Sequence, residues 1–278
     1  RPVSRRRHRG RRTSLPIPVL ALAIVAVTFF ALPLIGLIWR APWSNAWHYL
    51  TQDDALTALR LSMICSLWAT ALSIVFGVPL AWLLARVEFP GRNAVRALCL
   101  LSMVLPPVVG GVALFFALGR RGIVGQYLYE WFDFTLPFTT AGVVVAQTFV
   151  AMPFLVITVE ASLRQLDLRV EEAARTLGAS RWYTFRRVTL PAIRPALAAG
   201  AVLAWARALG EFGATITFAG NFPGTTQTMP LAVYLSLETN PEEAIVLALV
   251  LIAISFAVLV GLRDRWFGRT DRVVPVVP

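Results

Sequence analysis

Apolar residues along this chain gather into six long runs, at 17–39, 59–85, 94–118, 141–163, 196–218 and 243–262. A helix crosses a bilayer with about 20 mainly apolar residues, and each run reaches that length. The alternation of a membrane barrel strand is absent. Helix is therefore the expected state, since lipid offers no partner to an unpaired backbone group. The pattern predicts an all-α membrane protein. Its parts are a basic N-terminal tail at 1–16, a six-helix transmembrane bundle at 17–262 and a C-terminal tail at 263–278.

Two runs carry helix breakers. Pro106-Pro107 with Gly110-Gly111 should kink or unwind the third run, and Pro153 should kink the fourth. Proline removes a backbone donor and clashes with the preceding turn. In membranes such breaks persist where neighbours or a cavity satisfy the freed carbonyls. A broken helix lining a pathway and a helix bent by packing both fit the pattern.

Composition agrees with a chain solvated by lipid: 57% of residues are hydrophobic and only 15% charged, where soluble domains hold about 25% charged residues. The net charge of +11 rests wholly on arginine, because lysine is absent. With the N-terminus placed inside, 21 arginines fall on the inner side and three, Arg40, Arg120 and Arg121, on the outer. Cytoplasmic loops hold the basic excess of a membrane protein, so both termini are expected in the cytoplasm. Trp39, Trp43, Trp47 and Tyr49 cluster at the outer end of the first run, and Trp266 follows the last. Residues 15–39 are too long for the 7–15-residue apolar core of a cleaved signal, so the first run reads as a retained span. Cys65 and Cys99 lie inside apolar runs and suggest no disulfide framework.

The longest inner connection, 164–194, is amphipathic rather than merely polar. Glu171-Glu172 precede Ala173 and Ala174, Gly178-Ala179-Ser180 interrupt, and Trp182, Tyr183, Phe185 and Val188 alternate with Arg181, Arg186 and Arg187. This predicts helix, glycine turn, short helix, and a stop at Leu190-Pro191. The unit suits a membrane surface or a protein partner. Its acidic opening and small Ala173-Ala174 pair favour protein. Glu172-Ala173-Ala174, three residues, Gly178, nine residues and Val188-Thr189-Leu190-Pro191 resemble the EAA loop of permease subunits in bacterial ABC importers. That resemblance implies that Glu172, Ala173, Ala174, Gly178, Ala179, Leu190 and Pro191 form a coupling helix docked on a separate ATPase.

In the fifth run Arg207 and Glu211 share a helix face at i,i+4 spacing. Counting from about Pro195, Arg207 falls near mid-membrane. Ionisable groups at that depth usually face the bundle interior or a watery cavity. They read either as a pair holding two helices together or, with Thr215, Pro106 and Pro107, as elements of a pathway or gate. Gly200, Ala204 and Ala208 recur every four residues, as do Ala206, Gly210 and Ala214, which lets backbones approach within the chain or in a second copy.

The stretch Gly210-Glu211-Phe212-Gly213-Ala214, continued by Gly220-Asn221-Phe222-Pro223-Gly224-Thr225-Thr226-Gln227-Thr228, resembles the molybdate branch of these permeases. Sulfate-importer permeases share its first part. The resemblance implies a homodimeric pore, two ATPase subunits binding ATP and Mg, an extracytoplasmic oxyanion-binding protein, a bacterial plasma-membrane location, and transport of molybdate or tungstate, with sulfate or thiosulfate as the alternative. Asn221, Thr225, Thr226 and Thr228 would then supply neutral donors at the outer mouth, as tetrahedral oxyanions prefer. The same loop would equally serve to cap the bundle or touch the binding protein.

Several chemistries are excluded or disfavoured. A P-loop requires lysine, which this sequence lacks, so any ATP is bound by another subunit. His8 and His48 are isolated and no nucleophile–base pair stands out, so no enzyme and no cofactor or metal site is expected. A stand-alone secondary transporter needs coupling-ion residues inside the spans, and few are present beyond Arg207 and Glu211. A membrane anchor with a nucleic-acid-binding tail leaves the EAA-like spacing unexplained.

Overall fold

The structure is a computed structural model that describes residues 17–267, with side chains to residue 261. The basic tail expected at 1–16, residues 268–278 and the side chain of Trp266 lie outside the described residues. Among those described, every regular element is helical. The chain divides at Ala41 into two compact units.

The first unit holds α1 (Ile17–Arg40), 24 residues and apolar along its length. At 1.5 Å per residue it is about 36 Å long. Pro33 sits inside it.

The second unit starts with a short α2 (Ala46–Leu50) and then α3 (Asp53–Arg86). Asp53 and Asp54 occupy the first turn of α3 and Arg86 the last, matching the helix dipole at both ends. The two faces of α3 invert the soluble pattern. Ser62, Cys65, Ser66, Ala69, Ser73 and Gly77 are buried, whereas Ile64, Leu67, Trp68, Val75 and Phe76 are exposed. Lipid solvates large apolar side chains as well as a core does, so helices associate through small residues that admit close contact.

The third apolar run is not one helix. It forms α4 (Arg92–Val104) and α5 (Pro107–Leu118), separated where Leu105 and Pro106 adopt extended backbone. After α6 (Gly125–Phe132), α7 (Thr140–Gln165) crosses the unit with Pro153 inside it, and Thr139 caps it by accepting from the Gly142 amide at 3.0 Å. Next come α8 (Leu168–Thr176), α9 (Arg181–Thr184), a π turn (Phe185–Thr189) and α10 (Leu190–Leu209). The fifth predicted run is also broken, because α11 (Gly213–Phe218) starts after a three-residue gap. Finally α12 (Met229–Thr239) precedes α13 (Pro241–Phe267). Five helical stretches among the described residues are long and apolar enough to cross a bilayer: 17–40, 53–86, 140–165, 181–209 and 241–261.

The main core joins α3, α7 and α10. Ala69, Val78, Ala81 and Leu84 meet Leu155, Val156, Val159 and Leu163, with Ile193, Ala204 and Ala208 closing the third side. Gly200 lets α10 approach α7 so closely that an added Cβ would lie 3.3 Å from the Leu155 Cα. A second cluster joins Ala55 and Ala58 to Met229, Ala232 and Leu247. There the Met229 amide, a donor left free at the start of α12, is accepted by the buried Ser62 hydroxyl at 2.7 Å.

Helices α5 and α11 approach each other closely. A Cβ on Gly111 would come within 2.7 Å of the Ala214 carbonyl oxygen and 2.9 Å of its Cα. Gly111→Ala should therefore cost about 1–3 kcal/mol, the range for overpacking, and lower the thermal melting point of the purified chain. Gly261→Ala, which meets nothing within 4 Å, should leave that melting point unchanged or raise it.

Candidate functional site

Three places gather the polar chemistry of the second unit. The first is the 164–194 connection. Asp167 caps α8 by accepting from the Arg169 amide at 3.0 Å. The helix ends in a paired turn: Gly178 donates to the Arg175 carbonyl at 2.9 Å and Ala179 to the Ala174 carbonyl at 3.1 Å. Gly178 has φ +87°, which a side chain disfavours. Ser180 then caps α9 through the Tyr183 amide.

The predicted stop at Leu190-Pro191 is overturned. Helix runs unbroken from Arg181 to Leu209. Leu190 donates to the Phe185 carbonyl, an i→i−5 bond. The wide π turn makes room for the Pro191 ring, which would otherwise strike the carbonyl four residues back. Leu190 packs against the main core.

Glu171, not Glu172, anchors this connection. Its buried Oε1 accepts from Arg86 Nη2 and from Thr189 Oγ1, each at 3.0 Å. These bonds tie α8 to the end of α3 and to the π turn. Glu172, Ala173 and Gly178 are exposed, and Ala174 and Ala179 half-buried. Beside them Leu177 is 88% exposed and Trp182 69%. Ala174, Leu177, Gly178, Ala179, Ser180 and Tyr183 line an open groove. The result is a firmly held tip with an apolar, small-residue surface.

Glu160, which the sequence reading passed over, holds the neighbouring helix ends. Its Oε1 accepts from Arg96 at 2.7 and 3.0 Å and from Arg164 at 2.9 Å. Arg92 and Arg96 both reach the Leu84 carbonyl at the end of α3. The signal was available: an acid inside an apolar run, four residues before an arginine.

The second place is where the two broken helices meet. A Cβ on Gly213, at the start of α11, would lie 2.9 Å from Pro107 Cβ, at the start of α5. Thr217 Oγ1 donates to the Gly213 carbonyl at 2.8 Å and reaches the Val108 carbonyl at 3.3 Å. Glu211 occupies the gap between α10 and α11 and is 1% exposed. Its Oε1 accepts from the Ala214 amide at 2.8 Å. Its Oε2 lies 2.6 Å from Arg207 Nη1 in an ion pair whose angle falls outside hydrogen-bond geometry. Glu211 is thus both a cap for α11 and the counter-ion of Arg207. Thr215 is fully buried with its hydroxyl unpartnered, and so is the Gln147 amide on α7. Unpartnered buried polar atoms are rare enough to mark a place where water or a ligand supplies the bond. Gln147 was also missed, although it is a lone amide in an apolar run.

The third place is the 219–228 loop. It closes on itself: the Phe222 carbonyl accepts from the amides of Thr225, Thr226 and Gln227, and the Phe222 amide donates to Thr226 Oγ1 at 2.9 Å. Thr226 and Thr228 are buried, so of the four outer-mouth residues Thr225 is exposed and Asn221 half-buried.

Residues 77–271 match the family of binding-protein-dependent transport system inner membrane components. The chain belongs to that family. The molybdenum transport system permease protein ModB of Mycobacterium tuberculosis is 44% identical over 93% of this chain and 98% of its own length. ModB of Escherichia coli is 42% identical over 80% of this chain and 97% of its own. The sulfate transport system permease protein CysT of Escherichia coli is 35% identical over 96% of each chain. Among solved structures, a bacterial ABC transporter that imports alginate matches with TM-score 0.71 at 20% identity, covering 91% of this chain and 94% of that one. The MetNI methionine transporter matches at 0.59 and 20% identity, covering 78% and 98%. This permease is therefore a multi-pass inner-membrane subunit and not an enzyme.

Glu211→Ala removes a cap and strands Arg207. Breaking a buried pair costs about 3–5 kcal/mol, so the variant should melt well below the native permease. Removing both partners, as Arg207→Met with Glu211→Gln, should recover part of the loss because no charge is left unpaired. Melting temperatures of Glu211→Ala and of a double-mutant cycle built on Arg207→Met and Glu211→Gln check both expectations.

Proposed function

We propose that this permease is the channel-forming subunit of an ATP-driven importer for molybdate or tungstate. The substrate class is supported by identity of 42–44% to molybdenum permeases over most of the chain, against 35% to a sulfate permease. The observation that carries the mechanical part is the tip at 172–183. A Leu177 that is 88% exposed stands on a helix locked from below by the Glu171–Arg86 pair. Such a side chain on so rigid a base is an anchor in search of a pocket.

In this reading the tip is the coupling helix, seated on an ATPase subunit that binds ATP and Mg. Six crossings result when α4 and α5 together count as one broken span beside the five long ones. Both termini then face the cytoplasm, in keeping with the arginine distribution. The pathway runs past the joined breaks at Pro106-Pro107 and Gly210-Phe212, where Arg207 offers a partly neutralised charge to a passing dianion and Thr215 and Gln147 offer neutral donors. Two copies of the permease form the pore. Ala206 on α10 and Gly210 just past its end, both small and exposed, suit a contact between copies. Asn221 and Thr225 face the extracytoplasmic binding protein.

Leu177→Glu should weaken ATPase docking roughly thirtyfold, the loss expected of an anchor worth about 2 kcal/mol. Glu172→Arg should disturb the same surface. Both should abolish molybdate uptake by the reconstituted complex while the permease alone melts as before. Unchanged uptake and co-purification would sink the docking assignment. In competition assays on the native complex, tungstate should displace labelled molybdate and excess sulfate should not. Displacement by sulfate would move the substrate to that branch and leave the docking result intact.

A further inference from the structure

Beneath the tip, α3, α8, α9 and the π turn line a half-open cavity of about 270 Å³. Its polar lining is Arg86, Glu171, Arg175, Arg181, Thr184 and Thr189. Three arginines and one glutamate therefore line it, Arg175 and Arg181 from the exposed side. That carboxylate is already engaged, since Glu171 Oε1 takes Arg86 Nη2 and Thr189 Oγ1 at 3.0 Å each. Arg175 spends only its Nε, on the Glu171 carbonyl at 3.4 Å.

The remaining donors have nothing to bind. Arg86 Nε is buried without an acceptor, on a side chain only 8% exposed. Thr184, 4% exposed, has a buried hydroxyl with no partner. The Arg181 guanidinium, at the rim, makes no ion pair among the described residues. A buried donor left unsatisfied is costly, and a cleft with an excess of positive charge concentrates anions. Guanidinium forks with hydroxyl donors suit a tetrahedral oxyanion, which accepts several bonds at once.

We infer that this cavity binds a phosphate-type oxyanion. Its ligands would come from α3 through Arg86, from α8 through Arg175 and from α9 through Arg181 and Thr184. An occupied site therefore braces the tip against the end of α3, beyond what the Glu171 bonds achieve alone. The inference stands apart from the transported substrate and from the ATPase contact. A free ion and a lipid headgroup both carry the required group.

The test uses the full-length permease, delipidated in a maltoside detergent that has no phosphate. Inorganic phosphate is titrated by calorimetry. Saturable binding is expected. Thr184→Val and Arg181→Gln, which remove a hydroxyl and a rim charge but no existing bond, should each weaken it by about tenfold, the value of one charge-assisted hydrogen bond. Both variants should melt with the native protein when phosphate is absent; if one does not, the other still decides. Titration repeated with phosphatidylglycerol present separates the sources: unchanged affinity assigns the site to a free ion, and loss of phosphate binding assigns it to the headgroup. No saturable binding, or binding that the folded variants leave untouched, overturns the site.

Discussion

A carboxylate buried in a membrane bundle must find its counter-ion within the protein, and this requirement organises the second unit. Among the described residues the buried acids are Glu160, Glu171 and Glu211, and each faces an arginine. Every pair also does mechanical work. Glu160 binds α4 and α7 to the end of α3, Glu171 fixes α8 to the same end, and Glu211 closes the gap between α10 and α11. An arginine is suited to such joints because its guanidinium stays charged and offers five donors in a fixed plane. One side chain can thus neutralise an acid and still cap a carbonyl, as Arg96 does with Glu160 and Leu84.

The same requirement explains how broken helices survive. Interrupting a helix frees amides at the new start and carbonyls at the old end. At Pro107 the missing amide needs no partner, because proline at a helix start has none to satisfy. At the start of α11 the Ala214 amide is met by Glu211. The two breaks then press together because Gly111 and Gly213 leave no side chain between them. Sequence puts prolines on one side of this joint and glycine with acid on the other, two distinct solutions to one problem.

Much of this was legible beforehand. Apolar run length located the long helices, since nothing but helix satisfies backbone groups in lipid. The Pro106-Pro107 break and the Gly178 turn followed from local backbone chemistry. Besides Glu160 and Gln147, three features escaped. Pro191 reads as a stop, because a π turn that accommodates its ring depends on i→i−5 bonding with no sequence signature. Glu171 and Glu172 are adjacent acids, and which one is buried depends on where Arg86 lies, 85 residues away. The gap after Leu209 was hidden because Glu211 looks like the partner of Arg207 within one continuous helix. The i,i+4 pair is present, yet the second oxygen of the acid caps a new helix.

Continuity and discontinuity then divide the labour. From Arg181 to Leu209 the helix runs 29 residues without a break, about 43 Å at 1.5 Å per residue. One end carries the exposed tip and the other ends at Glu211. A push at the foot of such a rod is passed along its axis, because its backbone hydrogen bonds run that way and resist stretching. Displacement is taken up where bonds are already irregular: at the π turn near the foot, and at the three-residue gap at the head. The gap is the softer of the two in one respect. Among the described residues its only side-chain bridge is a single carboxylate, which meets the Ala214 amide and Arg207, whereas the π turn lies within a continuous helix and packs on the α3–α7–α10 core through Phe185. In the proposed reading, movement delivered by a partner at the tip would therefore emerge at Arg207, Glu211 and the α5–α11 contact, the groups assigned there to the pathway.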